Sequence, residues 1–324
     1  MKILDRKVSF NIDGALPECI SSPPEEMLLF DIETTGLKKE YCQVYLIGCA
    51  YLDIDGWHIR QWLTQSASDE QGAIEAFAAF ARGFKTLVTF NGEGFDIPVI
   101  DFKNRYYGVD TDINSFESLD IYKKLKPVKK LIGAKSLSQK SVELMCGIKR
   151  DDRLDGGLLI PYYYEYEMTL SEENERLLLL HNFEDVLGMG KILPILNITA
   201  IKEGKYRFSK YSFKDDRLDI EFELPFALPA GFKNEKISAG KNKMTISLEA
   251  ADGAVKIPVS NYKDYYYLPE EDKVIHKDLA SFVDKKYKRK ADKENCFLKV
   301  EKEKISFLDA AQFESLAMNV INSY

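Results

Sequence analysis

The sequence lacks the features that mark several classes of protein. Its longest apolar runs fall far short of the roughly 18 residues that a membrane-spanning helix needs. Its first residues, MKILDRKVSFNIDG, lack the apolar stretch of a signal peptide. The five cysteines are widely spaced and form no C-x-x-C pair, so neither a disulfide framework nor a cysteine zinc site is indicated. These absences predict a cytoplasmic protein with no membrane partner.

The chain also lacks an excess of positive charge. Its 45 Lys+Arg and 52 Asp+Glu give a formal net charge of -7, which argues against binding nucleic acid by bulk phosphate neutralisation. Residues 200–324 hold 23 basic and 21 acidic residues, net +2, which leaves 22 and 31, net -9, for residues 1–199. The excess acidity therefore belongs to the first two-thirds of the chain. With three histidines in all, a histidine-based zinc site is not favoured.

Apolar periodicity in the first two-thirds predicts a mixed β-sheet covered by helices, an α/β fold. Short apolar or alternating runs predict strands at 27–32, 43–52, 57–63, 86–90 and 118–121. Helical spacing predicts helices at 68–82, 96–106, 136–146 and about 170–192. The last helix has capping-box spacing at Thr169 and Glu172.

Two changes in composition divide the chain into three predicted parts. Residues 1–26 are a polar N-terminal extension that ends in a double proline, which disfavours regular structure. Residues 27–199 form the α/β domain. Residues 200–324 form a smaller, mostly-β extension of unknown function, with β-like stretches and a helix-like segment at 276–290.

The C-terminal part contains a tyrosine-rich stretch at 261–269 and a basic run at Lys285–Lys290. Aromatic rings beside positive charge are typical of platforms that bind single strands. Tyrosines packed in a core and a solvated, lysine-rich helix end explain the same residues, and both interpretations remain open.

The motif FDIETTGL places two carboxylates at the end of the first predicted strand. Asp31 and Glu33 point to the same side, because residues i and i+2 of a strand share a face. Two acids on an otherwise apolar strand are costly unless a cation neutralises them, and carboxylate oxygens suit Mg²⁺ or Mn²⁺. The alternative is that Asp31 caps the strand and Glu33 lies in solvent.

Two further motifs carry acids. FNGEGFDIP places Asp96 at the start of a helix, where the dipole favours an anion and where a simple N-cap is the alternative. HNFEDV places His181 and Asp185 four residues apart on one helical face, in apolar surroundings that favour a buried, partnered Asp185. Without further context, His181 is more simply a core histidine. For Asp120 and Asp155, a place lining the same cleft is one interpretation, and a supporting or turn role is the more common one.

These motifs, D-x-E, N-x-x-x-x-D and H-x-x-x-D, follow one another at spacings of 65 and 89 residues. In this order they resemble the DEDD-type 3′→5′ exonucleases of the ribonuclease H-like superfamily, most closely the bacterial YprB-type predicted exonuclease group. The resemblance covers about residues 27–197 and implies a ribonuclease H-like mixed sheet flanked by helices. It implies two Mg²⁺ or Mn²⁺ ions held by Asp31, Glu33, Asp96 and Asp185. It also implies substrate contacts from Thr34, Thr35, Gly36, Leu37, Asn91 and Phe95.

The sequence departs from that family at one point. DEDD enzymes orient the attacking water with a tyrosine four residues, or a histidine five residues, before the last aspartate. Here a histidine, His181, stands at the tyrosine's spacing, and one residue on a helix turns a side chain by about 100°. His181 as general base and His181 as a group that only orients water both remain open.

The resemblance implies two-metal hydrolysis of phosphodiester bonds at the single-stranded 3′ end of DNA or RNA. A proofreading-type exonuclease subunit is one alternative, because FNGEGFDIP also resembles the exonuclease module of family B polymerases. The other is a non-catalytic nucleic-acid-binding or scaffold protein that retains the fold. Four convergent carboxylates argue against this second alternative, since they would repel phosphate.

Overall fold

The structure, a computed structural model, describes residues 1–9, 16–17 and 19–324. The chain divides into two compact units, residues 1–127 with 136–196, and residues 128–135 with 197–324. The sequence did not predict that residues 128–135 join the second unit. The predicted limits of the three parts, 1–26, 27–199 and 200–324, stay predictions. Among the described residues, no helix is both long enough and apolar enough to cross a membrane.

The first unit is built on a six-stranded mixed sheet. Its strands are β1 (Lys2–Val8), β2 (Met27–Thr34), β3 (Val44–Asp53), β4 (Gly56–Leu63), β5 (Thr86–Thr89) and β6 (Glu117–Asp120). Their order across the sheet is β1-β4-β3-β2-β5-β6. β2 pairs antiparallel with β3 and parallel with β5, and β5 pairs parallel with β6. β2 is therefore central, and the carboxyl ends of β2 and β5 lie at the same edge of the sheet.

Helices cover both faces of this sheet. They are α1 (Glu70–Ala81), α2 (Asp96–Tyr107), α3 (Ile121–Leu125), α4 (Gln139–Met145), α5 (Gly156–Thr169) and α6 (Glu172–Ile192). Ile32 of β2 belongs to the core that includes Phe77 of α1 and Ile100 of α2. Tyr45 and Leu46 of β3 belong to a second core with Tyr163 of α5 and Leu178 of α6. The predicted mixed sheet flanked by helices is confirmed.

The structure differs from the sequence prediction before residue 27. Lys2–Val8 form an edge strand that pairs antiparallel with β4 along its length, where the sequence predicted a polar extension and no strand. Most of its side chains are exposed, so the strand shows no apolar alternation by which it could be recognised. Asp5 joins it to the sheet by accepting hydrogen bonds from Tyr51 Oη and Arg60 Nε, both at 2.7 Å.

The start of the long helix α6 is also corrected. Its N-cap is Ser171, whose Oγ accepts from Asn174 N at 3.4 Å, rather than the predicted Thr169. Thr169 instead ends α5, a helix that the sequence did not predict, and Leu170 follows with a left-handed φ of 52°. Because α5 continues to Thr169, the N-cap of α6 lies two residues later than predicted, at Ser171.

The second unit contains two antiparallel sheets, which confirms a mostly-β C-terminal region. Its strands are β7 (Arg207–Lys214), β8 (Arg217–Lys233), β9 (Ile237–Ala251), β10 (Ala254–Pro258), β11 (Tyr265–Leu268), β12 (Lys273–His276), β13 (Arg289–Lys290) and β14 (Phe297–Glu301). The sheet orders are β14-β10-β9-β8-β7 and β12-β11-β13. Its helices are α7 (Asn197–Lys202), α8 (Lys277–Ala280), α9 (Lys302–Ile305) and α10 (Ala310–Asn322).

The helix predicted at 276–290 is wrong over most of its length. It is limited to Lys277–Ala280, and the segment continues through a short 3₁₀ turn into β13. The Asp284 side chain accepts a hydrogen bond from Lys286 N at 3.2 Å. Such a local bond competes with helical hydrogen bonding and favours a turn.

Candidate functional site

Two adjacent parallel strands bring three of the predicted acids to one edge of the sheet. Asp31 and Glu33 lie near the end of β2, and Glu33 is buried although its side chain is ionisable. Asp96, also buried, begins α2 after the turn that follows β5. Its Oδ1 accepts a hydrogen bond from Ile32 N at 3.1 Å, between the two acids of β2. This bond fixes the start of α2 against the end of β2.

Helix α6 adds the fourth acid and an amide that holds the first. Asn182, fully buried, donates from Nδ2 to Asp31 Oδ2 at 3.0 Å. Gln61 Nε2 of β4 in turn donates to Asn182 Oδ1, also at 3.0 Å. The chain from Gln61 through Asn182 to Asp31 orients the Asp31 carboxylate and joins α6 to the sheet.

A glycine makes this close approach of α6 possible. Gly48 lies opposite Asp31 in the register of β2 and β3. A Cβ atom added at Gly48 would lie 1.9 Å from Asn182 Oδ1, a distance that two atoms do not reach without displacement. Gly48 is thus needed for the hydrogen bond between Asn182 and Asp31.

We expect Gly48→Ala to lower the free energy of unfolding by about 1–3 kcal/mol, the usual cost of overpacking a core. Gly72→Ala in α1 is the matched control, because an added Cβ there meets no atom within 4 Å. It should raise stability by about 0.4–1 kcal/mol through the entropy of the unfolded chain. Urea unfolding measures both variants, and a Gly48→Ala protein as stable as wild type would contradict the steric argument.

The four acids repel one another. Burial raises the pKa of Asp31 and of Glu33 well above the ordinary range, and the charges of Asp185 and Asp96 raise both further. Burial also raises the pKa of Asp96 to about 7, with smaller contributions from neighbouring carboxylates that include Asp185. These effects connect every pair among the four acids, so the structure brings them together in one electrostatic cluster.

His181 faces this cluster and is oriented by an aspartate. Its Nδ1 lies 2.7 Å from Asp152 Oδ2, and its Nε2 lies 3.2 Å from Asp185 Oδ2 and 3.5 Å from Glu33 Oε1. Burial alone would raise the pKa of Asp152, but hydrogen bonds from Leu154 N and His181 outweigh it and hold this pKa below its usual value. Asp152 is thus ionised at neutral pH and accepts the Nδ1 hydrogen.

This tautomer leaves a lone pair on Nε2. Nε2 faces the carboxylate oxygens of Glu33 and Asp185, which are acceptors when ionised. Ligand atoms of these three residues all lie within 4.8 Å of one another. Such an arrangement requires a proton or a cation among the three groups.

A buried arginine holds the other oxygen of Asp185. Arg150 Nη1 lies 2.7 Å from Asp185 Oδ1, and Arg150 Nη2 donates to Glu143 Oε1 at 2.6 Å, with Nε donating to Glu143 Oε2. Gln139 Nε2 donates to Glu143 Oε1 at 2.9 Å and to the carbonyl of Asp185 at 2.6 Å. Glu143 is 1% exposed, so Arg150 is the cation that compensates its charge. This network fixes α4 to α6 behind the acidic cluster.

The predicted substrate residues lie at the same end of the sheet. Thr34 Oγ1 donates to the carbonyl of Gly36 at 2.7 Å, and Thr35 Oγ1 accepts from Gln43 N at 2.9 Å. Both hydroxyls therefore brace the loop that follows β2. Leu37 is 88% exposed at its tip, a position where an apolar side chain is available to a ligand.

The other turn residues have structural partners. Asn91 is exposed, with a left-handed φ of 65°, and Phe95 is half-buried against the core beside α1 and α2. Asp120 is buried and accepts from Asn91 N at 2.9 Å and from Lys123 N at 3.2 Å. Asp155 is exposed at the start of α5 and pairs with Lys140 at 3.1 Å.

The sequence reasoning did not assign a role to Asn182, Gln61, Asp152, Arg150 or Glu143. Asn182 adjoins His181 in HNFEDV, so its position in the motif was a usable signal. Asp152 and Arg150 lie in the irregular segment before α5, where no periodicity indicates which side chains turn inward. The contacts of Asp152 and Arg150 therefore become evident only from the three-dimensional structure.

The residues present fit a divalent cation. Asp31, Glu33, Asp96 and Asp185 supply the hard oxygen ligands that Mg²⁺ and Mn²⁺ prefer, and a cation would relieve the repulsion that raises their pKa values. Tyr45 is fully buried, and its hydroxyl has no hydrogen-bond partner in the described part of the chain. Burial raises the pKa of Tyr45, as do the charges of Glu33 and Asp31, so this orphaned hydroxyl lies beside the cluster.

The structure resembles known proteins at low identity. The family B DNA polymerase of Pyrobaculum calidifontis is 19% identical, and the match covers 56% of this chain and 26% of that chain with a TM-score of 0.44. E. coli exonuclease I in complex with a dA16 oligonucleotide is 9% identical over 92% of this chain and 69% of that chain, with a TM-score of 0.30. This chain thus spans about a quarter of the polymerase. A search of curated proteins gives no match.

A sequence profile matches a much longer part of the chain than any single motif. The profile is that of the RNase H superfamily, and it aligns with residues 28–197, from β2 to the first residue of α7. This range covers just over half of the chain and includes all four acids of the cluster. The chain belongs to the RNase H superfamily.

Proposed function

We propose that the protein is a divalent-metal-dependent 3′→5′ exonuclease that hydrolyses phosphodiester bonds in single-stranded DNA or RNA. The observation that carries the proposal is the cluster of four buried or half-buried carboxylates that repel one another, two of which, Glu33 and Asp185, face His181 Nε2. RNase H-like nucleases generally use divalent metals, which supports the same interpretation of the acidic cluster. The proposal assigns the domain at residues 27–199 as the catalytic part.

The proposed roles follow from the contacts. Asp31, Glu33, Asp96 and Asp185 would hold the ions, which would stabilise negative charge on the phosphate and lower the pKa of water. His181 Nε2 accepts a proton from the attacking water, and Asp152 keeps Nδ1 protonated so that Nε2 remains the acceptor. The water oxygen bonds to phosphorus, the bond from phosphorus to the 3′ oxygen breaks, and that oxygen takes up a proton from solvent. The products are a 5′-mononucleotide and a strand with a new 3′-hydroxyl.

Strand polarity tests this proposal. A 5′-labelled single strand should be shortened stepwise in Mn²⁺, and a phosphorothioate at its last 3′ linkage should block the reaction, whereas one at the first 5′ linkage should not. EDTA should stop hydrolysis. Binding without hydrolysis in Mg²⁺ or Mn²⁺ would refute the exonuclease and favour the non-catalytic alternative, and blockage at the 5′ linkage alone would reverse the assigned direction.

We expect His181→Asn to lower kcat by a factor of about 10² or more, the usual contribution of a general base. Asparagine retains a donor toward Asp152 and removes the acceptor at Nε2. The measurement is the rate at saturating substrate across a Mn²⁺ titration. A general base predicts a lower rate with the same half-saturating Mn²⁺ concentration, whereas a marked rise in that concentration would make His181 a ligand instead.

His58→Asn is the matched control for this substitution. His58 lies in β4 and pairs with Asp5 and Asp55, away from the acidic cluster. Its replacement should leave kcat unchanged. An equal loss in both variants would show that the effect is not specific to His181.

A further inference from the structure

The second unit contains a small sheet in which tyrosines lie beside cations. β11 carries three consecutive tyrosines, and β13 pairs with it so that Tyr266 lies opposite Lys290 and Tyr267 opposite Arg289. Residues 285–290, here called the basic strip, have the sequence KKYKRK, in which five of six side chains are cationic. The last two cations of the strip, Arg289 and Lys290, thus lie in the edge strand β13, and the other three directly precede it in the chain.

The cations of the basic strip lack acidic partners in the part of the chain that the structure describes. None of its five cations forms an ion pair with a residue that the structure describes, and Lys288 Nζ contacts the carbonyl of Ala280 instead. Other lysines of the same unit are paired. Lys273 pairs with Glu271, Lys277 with Asp264, and Lys304 with Glu301. The strip is therefore an uncompensated positive surface, and an anionic partner complements it.

Aromatic rings accompany these cations at short range. Arg289 Cζ lies 5.1 Å from the centre of the Tyr267 ring, Lys288 Nζ lies 5.4 Å from that of Tyr266, and Lys286 Nζ lies 4.6 Å from that of Tyr287. Tyr287 is 45% exposed, so part of its ring surface is available to a ligand. Rings next to cations match a ligand that alternates flat bases with phosphates.

We propose that the basic strip and its neighbouring tyrosines bind a single strand of nucleic acid, with lysine and arginine on phosphates and rings on unpaired bases. The strand must be single because a duplex hides the faces of its bases. The inference rests on the proposed function, because that function supplies the single-stranded substrate. The four carboxylates of the acidic cluster repel phosphate, so favourable contacts with the strand must come from other residues of the chain. Exposed Phe282 and Leu279 make an anionic membrane the competing partner.

Binding in EDTA tests the inference without hydrolysis. Fluorescein-labelled dT20 and U20 are titrated with the full chain, and anisotropy is followed from 50 to 200 mM salt. The triple variant Lys285→Gln, Lys286→Gln, Arg289→Gln should bind at least tenfold more weakly at 50 mM salt. Its salt slope should be smaller by roughly 2, because each single-strand phosphate that the protein neutralises adds about 0.7 to the slope. Tyr287→Leu should weaken binding about fivefold or more, because leucine cannot stack on a base.

The control removes three paired cations from the same unit. Lys273→Gln, Lys277→Gln, Lys304→Gln makes the same change in net charge and should leave affinity within twofold of wild type. Equal losses in both triple variants, or no binding of either oligonucleotide by wild type, would overturn the proposal. Binding to vesicles of phosphatidylserine and phosphatidylcholine without binding to oligonucleotides would also overturn it, in favour of a membrane.

Activity in Mn²⁺ separates this inference from the exonuclease proposal. The strip variant should raise KM with kcat unchanged, because the strip is expected to contribute to binding alone. If the wild-type protein binds strands in EDTA but hydrolyses none in Mn²⁺, the exonuclease proposal is wrong and the proposed binding by the basic strip is retained. If both triple variants hydrolyse strands with the same KM, the basic strip does not bind the substrate, and the exonuclease proposal is unaffected.

Discussion

Asp31→Asn is expected to lower the metal-dependent hydrolysis rate by a factor of about 10³ or more. A bound cation contributes several kcal/mol of charge stabilisation in the transition state, and each 1.36 kcal/mol is tenfold in rate. Asparagine retains the shape of the side chain but removes the negative charge from the centre of the cluster. Initial rates on a labelled single strand in saturating Mn²⁺ measure the loss.

Two controls separate this loss from misfolding. Asp101→Asn makes the same chemical change on α2, where Asp101 pairs with Arg105 outside the cluster, and should leave the rate unchanged. In EDTA, Asp31→Asn should be at least as stable as wild type, because it removes one of four carboxylates that repel one another. A variant that retains more than a tenth of the wild-type rate would exclude Asp31 as a metal ligand.

Arg150→Met is expected to lower the free energy of unfolding by about 3–5 kcal/mol, the usual cost of removing one partner from a buried ion pair. Methionine fills much of the space of the arginine stem but leaves the Glu143 carboxylate buried without its cation. Asp185 loses a partner in the same change. Urea unfolding in EDTA measures the effect without interference from bound metal.

A double variant tests the electrostatic origin of this loss. Arg150→Met with Glu143→Gln removes both charges, and glutamine still accepts the hydrogen bond from Gln139. The double variant should therefore recover a large part of the stability lost in Arg150→Met. If the double variant is instead as unstable as the sum of the two single variants, packing rather than charge holds this network.

The sheet could be predicted because its strands carry their own signal. β2, β3 and β5 are short apolar runs, and each was predicted within two residues of its observed ends. The grouping of Asp31 and Glu33 near one edge also followed from the alternation of side chains along a strand. Asp96 could be placed because a turn and a helix follow β5 immediately.

Helix α5 was not predicted because its signals point to a loop. It begins with two glycines and contains Pro161 within its length. Proline leaves the carbonyl of Gly157 without its helical partner, but Gly157 and Pro161 are both exposed, so water can satisfy that carbonyl. The buried residues Tyr163 and Tyr166 hold the helix against the sheet, and this tertiary packing overrides local propensity.

The partners around the cluster could not be predicted for a different reason. Arg150 and Glu143 meet across a loop, and Asp152 reaches His181 from another part of the chain. Neither contact has a fixed spacing, because loop geometry sets which side chains turn inward. A charged loop in a sequence usually indicates a solvated segment, whereas the loop before α5 supplies Arg150, the counterion of the buried Glu143.

The membership of residues 128–135 in the second unit affects how the chain folds during synthesis. Asn234 donates from Nδ2 to the carbonyl of Leu131 at 2.8 Å, across 103 positions of sequence. At about 5–20 residues per second, the ribosome delivers that partner roughly 5–20 s after Leu131. Val128, Leu131 and Ile132, all buried in the folded protein, must wait that long for the strands of their own unit. During this interval the three apolar side chains lack the residues that bury them in the folded protein.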